Sequence, residues 1–212
     1  MEKSEVRVLK KVDLINPVFV DLTSSLWSPV NAVGHLLVER TQAEKVGELY
    51  SPYFPDYVSS GETGLCTLPK LEFYATKDVS PNLLILLGEQ HADSNDVYAY
   101  YDVSETALNY AVTEGCKIFT SCAIFRSKRA EDRVYVAGTT SKEATSLSEK
   151  LGDKPFPFGK IIGQTGPLLG LAKAQGYKVL SILGSIKGDQ EDENIMNILL
   201  DRLIKAIKLT LV

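Results

Sequence analysis

The sequence predicts an α/β fold in a single domain, with a mostly parallel central sheet flanked by helices. Three observations predict it. Short apolar runs end at glycine, as in Leu83–Leu87 before Gly88 and Tyr177–Leu183 before Gly184, and a continuous run of this length is the pattern of a strand covered on both faces. Stretches with helical spacing of apolar residues stand between such runs, so the order is strand, loop, helix, strand. The 212 residues, set against about 150 per domain, favour one domain. Neither an internal repeat nor a linker long enough to separate two domains is visible.

The elements follow in chain order. Val6–Val12 alternates apolar and charged residues, so residues 1–15 read as an N-terminal arm or edge strand and 16–212 as the domain. Pro17–Leu22 reads as the first buried strand. Ser28-Pro29 has the form of a helix start, Ser at the N-cap and Pro at the first position, with Val33, Leu36 and Leu37 on one apolar face. His35 beside Leu36 reads as a partly buried structural histidine. Val46–Tyr50 is a strand that Pro52 and Pro55 must end. Leu65–Leu68 and Leu71–Thr76, broken by Pro69-Lys70, form a hairpin-like region. After Leu83–Leu87 a polar loop, Glu89–Asp96, leads to a helix through Ala107, Leu108, Ala111 and Val112, with Gly115 at its C′ position.

The second half repeats the alternation. Lys117–Ala123 and Val134–Ala137 are strand-like, and Ser141–Leu151 is a helix closed by Gly152. Pro155 and Pro157 make an extended linker into Ile161-Ile162. Gly163-Gln164-Thr165-Gly166-Pro167 opens a helix over Leu168–Gln175, and Tyr177–Leu183 is the next strand. In the last helix Glu191, Asp192 and Glu193 crowd the N-terminus and Lys205 and Lys208 the C-terminus, matching the helix dipole. Ile195, Ile198, Leu199, Leu203, Ala206 and Ile207 form one stripe, so this helix docks on the body.

Composition excludes several classes. Apolar residues make up 44% and charged residues 24%, close to globular averages, which excludes a disordered chain, collagen or a coiled-coil rod. A net charge of −4 and a pI near 5.3, with no basic stripe, exclude a general nucleic-acid binder. The purest apolar run, Leu83–Leu87, is far short of the ~20 residues that cross a bilayer. The start, Met1–Glu5, alternates charges with no apolar run behind it, so no export signal is read and a cytoplasmic location is expected. The three cysteines are odd in number and lack C-x-x-C spacing, against a disulfide framework or zinc ribbon. Cys116 and Cys122 stand in an apolar stretch and are expected to be buried thiols. No cofactor and no metal are expected.

In open α/β sheets ligands gather beyond the carboxyl ends of the strands. The loops read there are Thr23–Ser28, Glu89–Asp96, Phe125–Arg133 and Gly184–Asp192. Gly163, Gln164, Thr165 and Gly166 before a helix present backbone N–H groups to an anion, or simply allow a tight turn against the sheet. The stretch lacks the Lys and the spacing of a P-loop. Glu89, His91, Asp93 and Asp96 are an acid–base or metal-binding candidate, set against a merely solvated acidic loop. No G-x-S-x-G elbow is present. Arg126, Lys128, Arg129 and Arg133 form a basic cluster beside Glu131 and Asp132, to be read as a mixed-charge loop or a contact for an acidic partner. Tyr50, Tyr53, Phe54 and Tyr57 surround Pro52 and Pro55, and Tyr98, Tyr100 and Tyr101 follow the acidic loop. Such aromatics serve either a protein interface or half-buried packing.

Several stretches together resemble the PAC2 family, named for proteasome assembly chaperone 2. They are Ala43–Pro55, Leu68–Tyr74, Leu83–Gln90, and above all Thr165-Gly166-Pro167-Leu168-Leu169-Gly170-Leu171-Ala172-Lys173-Ala174-Gln175-Gly176, followed by the strand Val179–Gly184 and the acid-started last helix. The resemblance runs from about Asn16 to Leu209. It implies an α/β sandwich related to nucleoside-phosphorylase/hydrolase-like folds. It also implies a homo-oligomer, trimer or tetramer, and a non-enzymatic module that binds proteasome α-subunits or a related protein. On that reading the protein-binding residues are Tyr53, Phe54, Tyr57, Leu211 and Val212.

Three departures from the family pattern stand out. After the first strand, Leu22–Gly34 keeps only Gly34 of a usually glycine-rich stretch. Ser121-Cys122-Ala123-Ile124-Phe125 replaces another such loop. The end, Leu209-Thr210-Leu211-Val212, has Leu where the hydrophobic–Tyr–any-residue tail of proteasome-binding relatives has Tyr. The alternative is a small-molecule-binding protein or enzyme of phosphorylase-like ancestry. It would use the loops at 23–28, 89–96 and 163–166, with Glu89 or His91 as acid and base.

Overall fold

The most apolar segments of the chain lie next to one another at the centre of one sheet. The computed structural model describes residues 1–23, 29–61, 63–88, 96–126, 134–157, 159–186 and 193–209. In chain order these form β1 (Glu5–Val8), β2 (Val18–Thr23), α1 (Pro29–Thr41), β3 (Glu44–Tyr50), β4 (Ser59–Ser60), β5 (Cys66–Thr67), β6 (Leu71–Thr76), β7 (Leu83–Gly88), α2 (Val97–Thr113) and β8 (Ile118–Arg126). Then come β9 (Val134–Gly138), α3 (Ser141–Leu151), β10 (Lys154–Pro155), α4 (Thr165–Ala174), β11 (Lys178–Ile186) and α5 (Glu193–Leu209).

Among the described residues one sheet has nine strands, in the order β1-β3-β6-β7-β2-β8-β11-β9-β10. The middle four, β7, β2, β8 and β11, run parallel. On one side β6, β3 and β1 pair antiparallel, and on the other β9 pairs antiparallel with β11. The centre of the sheet is thus parallel, as expected, and its flanks make it a mixed sheet. The cause lies in the connections. Residues 77–82 join β6 to β7, too few for the dozen or more that a parallel crossover needs.

Alternation along the strands sorts the core into two layers. Val18, Val20 and Leu22 point to the side of α1, α3 and α5, where Val33, Leu37, Leu147, Leu199 and Leu203 cover them. Phe19 points to the side of α2 and α4, among Phe73, Ala107, Leu108 and Leu168. Its ring meets that of Phe119 at 5.4 Å between centroids. Gly34 lets α1 approach β7: a β-carbon there would stand 2.3 Å from Leu87 Cδ1.

Helix ends follow local chemistry. Asp96 caps α2 by accepting from the N–H groups of Tyr98 and Ala99. Thr140 and Glu143 form a capping box on α3, and Gly152 closes that helix in the left-handed region.

Several local expectations change. His35 is exposed, not partly buried, because the face α1 buries is Val30, Val33, Gly34 and Leu37, and His35 lies off that stripe. Leu65–Leu68 does not pair with Leu71–Thr76; Cys66–Thr67 pairs with Ser59–Ser60 in a separate two-stranded sheet, while β6 joins β3 and β7. Pro155 stands in the short edge strand β10 rather than in a plain linker, a place where proline's missing N–H costs little.

Candidate functional site

The connection from β3 to β6 stands at the carboxyl end of the parallel strands, because Glu72 at the start of β6 is in register with Leu87 near the end of β7. It carries the aromatic segment. Phe54 is buried against the α2/α4 side of the core. Its N–H donates to the Ser51 carbonyl, and the Tyr53 N–H donates to Ser51 Oγ. Phe54 anchors this tight turn, Tyr53 within it is half-buried, and Tyr57 beyond it is exposed. The Tyr53 ring meets Tyr98 of α2 edge-on at 6.3 Å. Burial, and then the Asp102 carboxylate, push the Tyr53 phenol above its ordinary range.

Three segments carry large apolar side chains at the surface. They are the β4–β5 hairpin with Tyr57, Val58, Leu65 and Leu68, the first turns of α2 with Val97, Tyr98 and Tyr101, and Ile162 before α4. Their exposures run from 42% to 81%.

Gly163, Gln164, Thr165 and Gly166 form the turn that opens α4. Gln164 and Thr165 are buried. Gln164 Nε2 donates to the Tyr100 carbonyl at 3.0 Å and to Ser104 Oγ at 2.6 Å, tying the turn to α2. Gln164 Oε1 is buried and accepts nothing from the described residues. Gly163 takes φ +80°, and a β-carbon at Gly166 would lie 2.3 Å from the Ile161 carbonyl oxygen, so both glycines serve this turn. Glu89, His91, Leu211 and Val212, with most of the loops at 23–28 and 89–96, lie outside the described residues.

Sequence reading missed two polar constellations. Asp21, Ser121 and Ser181 stand in one row across β2, β8 and β11, each fully buried. Ser121 and Ser181 share a hydrogen bond of 2.8 Å, and Asp21 Oδ1 accepts from the N–H and hydroxyl of Thr23. Only cross-strand register assembles this row. The second lies on β3 and β6. The buried Glu48 accepts from Lys45 at 3.1 Å, from Tyr50 at 2.8 Å, and from Lys70. Burial alone would raise its pKa; the hydrogen bonds from Lys70, Tyr50 and Lys45 outweigh it and hold the carboxyl at about 2. A cleft of about 440 Å³ between the end of α3 and α5 is lined by Asp153, Asn197, Asp201 and Arg202. Its arginine already donates to both aspartates, at 2.7 and 2.9 Å.

The family model of the PAC2 family matches residues 30–212. The chain belongs to the PAC2 family. Among relatives, this PAC2 chain is 27% identical over 207 residues to the uncharacterised protein MJ1210 of Methanocaldococcus jannaschii, covering 93% of this chain and 78% of the other. Its fold is similar to that of Pyrococcus furiosus PbaB, described as an archaeal proteasome activator, with a TM-score of 0.89 and 24% identity over 98% of this chain and 90% of that one. It is also similar to P. furiosus PbaA, described as an archaeal homolog of proteasome-assembly chaperone, with a TM-score of 0.73 and 22% identity over 96% and 86% of the two chains. The single-domain α/β architecture of the PAC2 chain is thus that of its structural neighbours. Among the described residues no helix is long and apolar enough to cross a membrane, and no group of three or more His, Cys, Asp or Glu is arranged to hold a metal ion.

Proposed function

We propose that this PAC2-family chain is a non-enzymatic protein-binding module of the assembly-chaperone type, acting in the cytoplasm as a homo-oligomer, trimer or tetramer. Its partner is a proteasome α-subunit or a related protein. The observation that carries the reading is the set of exposed apolar side chains that includes Tyr57 after the Phe54-anchored turn and Val97, Tyr98 and Tyr101 at the start of α2, where Tyr98 meets the half-buried Tyr53 edge-on. The fold shared with PbaB and PbaA supports it. Leu211 and Val212 supply a second, apolar contact.

Native mass spectrometry of the protein alone and mixed with α-subunits from its own source tests this. A discrete mixed complex is expected, weakened when Leu211 and Val212 are replaced by Glu. A self-oligomer that ignores the α-subunits removes that partner.

A further inference from the structure

We propose that the N-terminal arm is a clasp: Ser4 locks the turn at Ser51–Phe54 to α2, and the closed clasp favours binding of a protein partner at Tyr53 and Tyr98. The clasp stands on geometry alone; its effect on a partner rests on the protein-binding reading above.

Three segments distant in sequence meet at Ser4. Glu5 is in register with Tyr50 at the end of β3, so one step further Ser4 faces Ser51, where the turn begins. Ser4 Oγ donates to Ser51 Oγ at 2.9 Å. The Ser4 N–H donates to Asp102 Oδ2 of α2 at 2.9 Å, and the Ser4 carbonyl accepts from Thr106 Oγ1, one helical turn on, at 3.5 Å. Ser4, Ser51, Asp102 and Thr106 are all half-buried, where hydrogen bonds are stronger than in open water.

The turn itself is built on Ser51. Its Oγ accepts from the Tyr53 N–H at 3.1 Å and its carbonyl from the Phe54 N–H at 3.3 Å. The Ser4 hydroxyl therefore holds the same oxygen that orients Tyr53. Asp102, which takes the Ser4 N–H, is the foremost charge acting on the Tyr53 phenol. The Tyr53 ring meets that of Tyr98 on α2. Ser4 thus ties together the two elements whose tyrosines touch.

The rest of the arm is secured independently. β1 pairs with β3, the N–H groups of Leu9 and Lys10 donate to the Val46 carbonyl, and Val6, Val12 and Leu14 pack on the α2/α4 side of the core. Before Ser4, residues 1–3 are exposed. The bonds of Ser4 can therefore break while β1 stays seated, so the clasp opens locally without unfolding the sheet. Closed, it pre-orders the turn for a partner; open, the ordering cost falls on binding.

Native-state amide exchange of the full chain, read by NMR, tests the clasp. Ser4→Pro removes both the N–H and the hydroxyl and leaves Glu5–Val8 able to pair. Ser4→Ala removes the hydroxyl alone. The amides of Tyr53 and Phe54 are expected to exchange about tenfold faster in Ser4→Pro, and by a smaller factor in Ser4→Ala, with β2 and β7 unchanged. In an Asp102→Ala background Ser4→Pro should add less than it does in the parent, because one of its two bonds is already gone. Unchanged exchange at Tyr53 and Phe54 overturns the clasp. So does a rise spread evenly over the turn, β2 and β7, which would make Ser4 a contributor to global stability only. Full additivity with Asp102→Ala does the same. Titration with α-subunits then reads the partner. Affinity about twofold or more weaker is expected for Ser4→Pro, since binding follows the fraction of closed clasp. Faster exchange with unchanged affinity overturns the link to binding. A parent chain that ignores α-subunits removes that partner, and the exchange rates still decide the clasp.

Discussion

Gln164 Nε2 lies 2.6 Å from Ser104 Oγ, so the turn that starts α4 is bolted to the second turn of α2. Both side chains are buried. With the bond from Gln164 Nε2 to the Tyr100 carbonyl, this contact fixes the start of α4 against α2.

Replacing Gln164 by Ala removes that bond and the one to the Tyr100 carbonyl, and leaves a void. The expected loss is about 2–3 kcal/mol of unfolding free energy. Ser104→Ala leaves the bond to Tyr100 and should cost about 1 kcal/mol. A double-mutant cycle by urea unfolding measures the coupling between them. Additive losses would mean the pair is not one unit.

Two glycines of α4 should respond in opposite directions. At Gly166 a β-carbon would collide with the backbone carbonyl of Ile161, so Gly166→Ala is expected to destabilise by about 2 kcal/mol or more. At Gly170 a β-carbon meets only open space, so Gly170→Ala should stabilise by about 0.5–1 kcal/mol through helix propensity. Thermal unfolding of the two variants side by side distinguishes them.

The cysteines divide sharply. Cys66 is exposed on the hairpin, while Cys116 and Cys122 are buried. Burial, and then Glu114, push the Cys116 thiol far up; burial, and then Asp21, push Cys122 to about 12. Only a thiolate attacks an aromatic disulfide. One thiol per chain should therefore react with such a reagent in the native protein, and three in denaturant. A second fast native thiol would contradict this packing.

Acid should act through Glu48. Its carboxyl titrates at about 2 when folded, against an ordinary value of 4.5. A depressed folded pKa means the stabilisation is present above the ordinary value and is lost as pH falls from about 4.5 towards 2. Glu48→Gln leaves Lys45 and Lys70 without that charge, so it should be less stable at pH 7 and should show a flatter pH dependence below pH 4.5. Urea midpoints across this range, for parent and variant, decide it.

The elements most readable in the sequence are those whose apolar period is unbroken. Leu83–Leu87 and the strand after Gly176 are central strands, and Ile195, Leu199, Leu203 and Ala206 of α5 are buried. Gly115 and Gly152 take positive φ where helix ends call for it. Strand direction was not readable from apolar content, because it is set by connection length, as between Thr76 and Leu83. Nor was the outward turn of His35, which a shift of helical phase decides, or the contrast of the buried Phe54 with its exposed neighbour Tyr57, which one turn decides. The row of Asp21, Ser121 and Ser181 comes from register between strands distant in sequence, which no local pattern contains.

The two margins of the sheet bear on how copies come together. One margin is β10, two residues long and ending in Pro155, which has no N–H to offer. The other is β1, four residues long, with Glu5 and Arg7 interleaved among its valines. Strands this short, interrupted by proline or charge, discourage edge-to-edge growth. Neither margin invites a neighbour to add a strand, so copies of this chain can crowd together in the cell without zipping into a shared sheet.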